Sequence, residues 1–134
     1  MHVVYLSLGS NLGDRHATMR RVIDMLNAEA GTVDRQSSLL ETEPWGFESA
    51  NKFLNMCVRL LTTLTPEQLL LKTQDIEKRL GRTVKSVDGK YHDRPIDIDM
   101  LMYDDVNIST PTLTLPHPHM HERDFVMIPL REIL

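Results

Sequence analysis

The chain carries one cysteine, Cys57, in 134 residues. No intrachain disulfide is possible, and a lone thiol inside an apolar run fits a reducing compartment. Aromatic residues make up only 5%, so those outside an obvious core pattern carry weight. Positive charge is in deficit: 15 Lys and Arg against 19 Asp and Glu leave a formal charge of −4. That argues against a broad nucleic-acid-binding face. No apolar run approaches the length of a membrane span. The opening residues Met1-His2-Val3-Val4-Tyr5-Leu6 lack the basic and long apolar regions of a signal peptide, and the sequon at Asn107-Ile108-Ser109 reads as a chance match. Glycine-rich phosphate loops are missing too, since neither G-x-x-x-x-G-K-S/T nor G-x-G-x-x-G occurs. The expectation is a cytoplasmic chain with no membrane, nucleic-acid or obligate protein partner. Any nucleotide phosphates it binds must be held by side-chain cations and metal.

What is present reads as one domain over residues 1–134. Hydrophobic content of 41% and charged content of 25% are those of an ordinary globular protein. Val3 to Leu8 reads as a buried strand stopped by the turn Gly9-Ser10-Asn11. Asp14 caps a helix whose Met19, Val22, Ile23, Leu26 and Ala30 recur at helical spacing, with Gly31 as its stop. Residues 33–42 read as a weaker strand, and Glu43–Phe47 as a loop showing two aromatics to solvent. Phe53 to Leu64 reads as a strand with Phe53, Asn55, Cys57 and Arg59 on one face. Thr65-Pro66-Glu67-Gln68 is a capping box with proline in the first turn, and Gly81 closes the helix it opens. Residues 82–94 are polar and basic, a mobile loop in this reading. A strand over Asp97–Tyr103 and a closing turn and short helix at Phe125–Leu134, interrupted by Pro129, complete the order. Two helices on a mostly antiparallel sheet make an α+β, ferredoxin-like fold.

The chemistry concentrates at Arg94-Pro95-Ile96-Asp97-Ile98-Asp99. On a strand, residues two apart share a face, so Asp97 and Asp99 aim at one small volume while Ile98 and Met100 anchor the other side. Paired carboxylates repel and take up a proton, a cation or a basic partner. Hard oxygens of this kind suit Mg²⁺, which binds through one or two carboxylates plus phosphate oxygens. A solvated strand edge is the bland alternative. Arg82, Lys85, Lys90, Arg94 and Arg123 supply cations of which the guanidinium forks match phosphate oxygens; the 82–94 segment is either such a phosphate clamp or a solvated basic loop.

His117-Pro118-His119-Met120-His121 is a second cluster. It is either a transition-metal tract or, as its prolines favour, one histidine near phosphates and two at the surface. Phe53 and Phe125 are either core residues or stacking platforms. Asn55, on the face of Phe53, favours stacking, because an aromatic beside a donor–acceptor amide suits a flat heterocycle. Gln74 and Glu77 lie one helical turn apart and on spacing alone are no more than helix surface.

The series Leu6-Ser7-Leu8-Gly9-Ser10-Asn11-Leu12-Gly13-Asp14-Arg15, Glu41-Thr42-Glu43-Pro44-Trp45-Gly46, Phe53-Leu54-Asn55, Gln74 to Arg82, Arg94 to Asp99 and Leu115 to Val126 resembles the 6-hydroxymethyl-7,8-dihydropterin pyrophosphokinases of folate synthesis, in the family's order and over nearly the whole chain. The resemblance implies transfer of pyrophosphate from ATP to the hydroxymethyl dihydropterin, with release of AMP. It implies two Mg²⁺ ions on Asp97 and Asp99. Thr42, Pro44, Trp45, Phe53, Asn55 and Phe125 fall on the pterin side. Gln74, Glu77, Tyr91, Met100, Thr114, His117 and Arg123 fall on the ATP side, and Arg82 and Arg94 are the expected catalytic arginines. The chain departs from the family's pattern at His92-Asp93, where Gly-Pro is common. His119 and Thr112 likewise stand where relatives carry arginine, and relatives usually run further than Leu134. A metal-binding regulatory module using the histidines, and a nucleic-acid-binding domain, are the competing readings from other classes.

Overall fold

The computed structural model describes residues 1–45, 47, 49–81 and 93–134. The first strand, β1 (His2–Ser10), runs longer than the apolar stretch because its polar end pairs on both sides, with Gly9 opposite Asn55 and Asp97. Asp14 caps α1 (Arg15–Glu29) by accepting the Ala17 N–H at 3.1 Å. Gly31 follows because the chain crosses the sheet there: a Cβ would meet the Leu61 carbonyl oxygen at 2.0 Å. The weak strand at 33–42 is two strands, β2 (Thr32–Gln36) and β3 (Leu40–Thr42), paired along the same edge of β4 (Phe53–Thr62). The Ser37 hydroxyl accepts the Cys57 N–H at 2.9 Å at the break between them, so a side chain replaces a ladder bond where β2 leaves the sheet.

The expected capping box opens α2 (Pro66–Arg79). The next strand, β5 (Asp97–Tyr103), pairs with the free side of β1, giving an antiparallel order β2-β4-β1-β5 with β3 beside β4. This is the ferredoxin-like α+β arrangement. A small hairpin of β6 (Ile108–Ser109) and β7 (Thr114–Leu115) stands apart. The last helix, α3 (Asp124–Ile133), runs through Pro129 without a break, which corrects the expected interruption. Its buried Val126, Pro129, Leu130 and Ile133 pack with Cys57 and Leu101 of the sheet, and that contact holds the helix despite the missing proline N–H.

The sheet therefore has two covered faces. Leu6, Leu8, Met56, Val58 and Leu60 meet Met19, Val22, Leu26, Leu69 and Ile76 of α1 and α2 in the main core. A register shift between Tyr5 and Leu6 opposite β5 makes Leu101 an extra residue, so that consecutive Leu101 and Met102 both pack on the α3 side while Met100 and Tyr103 serve the main core. On the α3 face, the end of the sheet that α3 leaves open is formed by Gly9, Phe53, Asn55, Asp97 and Asp99. That end is the floor of a cavity.

Candidate active site

The cavity has a volume of about 560 Å³. At one end Phe53 is buried, and Asn55 beside it is 2% exposed. The Asn55 Nδ2 donates to the Leu40 carbonyl at 3.1 Å and to the Thr42 hydroxyl at 2.8 Å. Both donor positions are spent on β3, so the amide plane is fixed and Oδ1 lies over Gly9. A Cβ on Gly9 would stand 3.4 Å from that oxygen and 3.5 Å from the Phe53 ring, so glycine keeps the floor low. Phe125 lines the same cavity from the start of α3. Two aromatic rings and a locked amide make a slot for a flat, hydrogen-bonding heterocycle.

Asp97 and Asp99 rise from the middle of the floor, on one face of β5. Each faces an arginine: Arg94 Nη2 lies 3.4 Å from Asp97 Oδ2, and Arg123 Nη1 lies 3.9 Å from Asp99 Oδ2. Glu77 of α2 is buried behind them and accepts the Ile98 N–H at 2.8 Å. The Asp99 side chain keeps 30% exposure toward the cavity. Burial and the neighbouring Asp97 and Glu77 charges nevertheless push its carboxyl up to about 8, against the pull of Arg123. Among the described residues, the carboxyl groups of Glu77, Asp97 and Asp99 thus share this floor with two arginines, Arg94 and Arg123. A hard divalent cation fits this donor set: two same-face carboxylates offer oxygens, and cation charge favours the ionised Asp99 against burial and the Asp97 charge. Among the described residues there is no cluster of three or more His, Cys, Asp or Glu able to hold a metal ion.

The far wall is built from α2, the β6–β7 hairpin and the histidine segment. Thr73, Gln74 and Glu77 of α2 and Thr110, Thr112 and Thr114 of the hairpin segment line it. The His117 N–H donates to the Leu101 carbonyl at 2.9 Å, which pins this segment to β5. Burial, then the Arg123 charge, lower the His117 ring to about 4. Its Nδ1 accepts the His119 N–H at 3.2 Å, so the neutral ring carries its proton on Nε2, a donor. The Arg123 guanidinium lies 4.3 Å from the Trp45 ring centroid and 5.6 Å from that of Phe125.

Of the expected site residues, Thr42, Trp45, Phe53, Asn55 and Phe125 line this cavity. Gln74, Glu77, Met100, Thr114 and His117 line it too, as do Arg94, Asp97, Asp99 and Arg123, the last packed against Trp45 and Phe125. Pro44 lies in the same loop but does not line the cavity. Arg82, Lys85, Lys90 and Tyr91, and with them most of the expected mobile loop, lie outside the described residues. Two readings are corrected. Trp45 and Phe47 are half-buried rather than shown to solvent, Trp45 against Arg123 and Phe47 edge-on to Phe53 at 6.1 Å. Glu77 is a buried strand anchor, not helix surface, because its carboxylate serves β5. Sequence reasoning missed Thr73 and the Thr110–Thr112 wall; the hydroxyl-rich run Thr110-Pro111-Thr112-Leu113-Thr114 was the available signal.

Residues 5–134 match the family described as 7,8-dihydro-6-hydroxymethylpterin-pyrophosphokinase. The chain is similar to 2-amino-4-hydroxy-6-hydroxymethyldihydropteridine pyrophosphokinase of Porphyromonas gingivalis, with 52% identity over 134 residues covering 99% of this chain and 91% of that protein. The Bacillus subtilis protein of the same name is 44% identical over 133 residues, covering 98% of this chain and 78% of that one. Plasmodium falciparum HPPK-DHPS is similar in fold, with a TM-score of 0.81 at 15% identity over 98% of this chain and 41% of that one. Among the described residues, no helix is long and apolar enough to cross a membrane. The chain belongs to the 7,8-dihydro-6-hydroxymethylpterin-pyrophosphokinase family, whose reaction is pyrophosphoryl transfer from ATP to the hydroxymethyl dihydropterin in folate synthesis.

Proposed function

We propose that residues 1–134 act as one catalytic unit and that this transfer takes place in the cavity over Asp97 and Asp99. The pterin lies between Phe53 and Phe125, with Asn55 reading its edge and Thr42 and Trp45 bordering it; Pro44 belongs to the pterin side by resemblance alone. ATP enters against Gln74, Glu77, Met100, Thr114 and His117, and its triphosphate crosses the carboxylate pair between Arg94 and Arg123. Arg82 and Tyr91 belong to the ATP side by resemblance alone. The observation that carries this reading is that one cavity gathers a heterocycle slot, paired carboxylates with arginines, and a polar wall.

In this reading the hydroxymethyl oxygen attacks the β-phosphorus of ATP. The new oxygen–phosphorus bond forms as the bond from the β-phosphorus to the α–β bridging oxygen breaks; AMP leaves with that oxygen, and the hydroxyl proton is released to solvent. Transfers of this class are accelerated mainly by alignment and charge neutralisation. Phe53, Phe125 and Asn55 hold the alcohol in place. Arg94 and Arg123, both mostly buried, are held near the pair by ion pairs and aromatic faces, so their charges need little reorganisation when negative charge shifts. Asp97 and Asp99 would hold Mg²⁺, which when bound supplies Lewis-acid stabilisation of the phosphate oxygens. The neutral His117 ring donates from Nε2 to the nucleotide.

Incubation with ATP, Mg²⁺ and 6-hydroxymethyl-7,8-dihydropterin should release AMP, and Asp97→Ala should abolish that release in a protein that still folds. Absence of AMP from the unaltered protein, or undiminished release by the Asp97 variant, would sink this reading of the site.

A further inference from the structure

Asp93 is where three loops meet. Its Oδ1 accepts from Asn11 Nδ2 at 2.7 Å, and its Oδ2 accepts from Asn51 Nδ2 at 3.0 Å. A hydrogen bond from the Ser49 side chain is the largest of the influences that hold its carboxyl below the usual range; burial opposes it, and Asn11, Asn51 and the Arg94 charge add to it. Asn11 closes the ring, because its Nδ2 also donates to the Asn51 carbonyl at 3.2 Å. The same asparagine then brackets the neighbouring residue. Its Oδ1 accepts the Arg94 N–H at 2.7 Å, and its own N–H donates to the Arg94 carbonyl at 3.1 Å. Asn11 is 3% exposed at the end of β1, so both loops are tied to the rigid sheet.

The two loops serve different ends of the cavity. Ser49 and Asn51 sit in the segment that runs into Phe53, the floor of the heterocycle slot. Arg94 faces Asp97, and its guanidinium lies 4.8 Å from the Phe53 ring centroid. We infer that Asp93 is a positioning residue that locks the segment leading into Phe53 to the segment carrying Arg94, so that slot and arginine hold one mutual geometry. The chemistry requires a carboxylate. Its two oxygens accept from donors on opposite sides, and a charged acceptor strengthens each bond. An asparagine in its place would turn an NH₂ group against one of those donors. This inference rests on the role given to Arg94 above.

Single-turnover rates of AMP formation at saturating substrates test it, in Asp93→Asn, Asp93→Ala, Asn51→Ala, Asp93→Ala with Asn51→Ala, and Arg94→Ala. Both Asp93 variants should slow the step by about 10-fold or more, as displacement of a positioned group does, while ATP affinity stays close to that of the unaltered protein. The double variant should be no slower than Asp93→Ala alone, because one ring is broken in either case. A merely structural Asp93 would lower thermal stability without touching the rate of the folded fraction. Asp93→Asn turning over normally while Arg94→Ala is slow would overturn the positioning role and leave the reading of Arg94 standing. Normal turnover by Arg94→Ala would remove that reading and the inference with it. Multiplying losses in the double variant would place Asp93 and Asn51 in separate roles and overturn the shared ring.

Discussion

Asp99→Asn should stabilise the metal-free protein while abolishing its activity. The Asp99 carboxyl stands at about 8 instead of 3.8. The folded state therefore binds more protons than the unfolded chain between those values. A raised folded value means that the contribution to stability is whole below pH 3.8 and is lost as pH rises to about 8. The greatest slope such a group produces is about 1.4 kcal/mol per pH unit. Coupling to Asp97 spreads the titration over both carboxylates, so only part of that window belongs to Asp99. Asparagine keeps the shape and removes the charge. At pH 9 in EDTA, the variant should exceed the unaltered protein by about 2 kcal/mol, a midpoint gain of roughly 5–8 °C at this chain length. At pH 4 the difference should nearly vanish. Urea denaturation of both proteins at intervals from pH 4 to 9 measures it. Added Mg²⁺ should then raise the stability of the unaltered protein by about 1.4 kcal/mol per tenfold concentration above Kd and leave the variant unmoved. A stability difference that stays constant across the pH range would refute the claim that Asp99 is a strained charge awaiting a cation.

Asn55→Ala should weaken pterin binding by ~1–3 kcal/mol and ATP binding much less, because it strips the slot of its amide; equal losses in calorimetric titrations of the two ligands would make its role structural. Glu77→Ala should cost ~1–3 kcal/mol in urea denaturation, since the buried Ile98 N–H loses its acceptor, whereas Glu77→Gln keeps an acceptor and should lose less; the reverse ranking would contradict the strand-anchor reading. His117 titrates at about 4 rather than 6.5. Its depressed value means that the unfolded chain takes up the proton first, so stability falls as pH drops from 6.5 toward 4. His117→Gln should flatten that part of the acid limb in thermal melts, and an unchanged limb would mean that the ring is solvated.

Much of this molecule was legible in the sequence because the signals are local. The apolar run of β5, the Asp14 and Thr65 caps and the Gly31 and Gly81 stops each depend on a few neighbouring residues, and each stands where the pattern puts it. The same-face spacing of Asp97 and Asp99 is a property of any strand, so the carboxylate pair followed once the strand was recognised. The motif series carried the family with it.

Tertiary structure decided the rest, and in each case through partners distant in sequence. Residues 33–42 became two strands because β4 offers an edge to both and Ser37 bridges the gap. Pro129 stays in a helix because the α3 face of the sheet covers it. Glu77 reads as helix surface until β5 presents the Ile98 N–H to it from 21 positions away. Asp93 reads as loop charge until Asn11, 82 positions away, and Asn51, 42 positions away, converge on its two oxygens. Chain periodicity reports which face a residue takes. Which donor, charge or ring waits on that face depends on how the elements pack, and no local pattern encodes it.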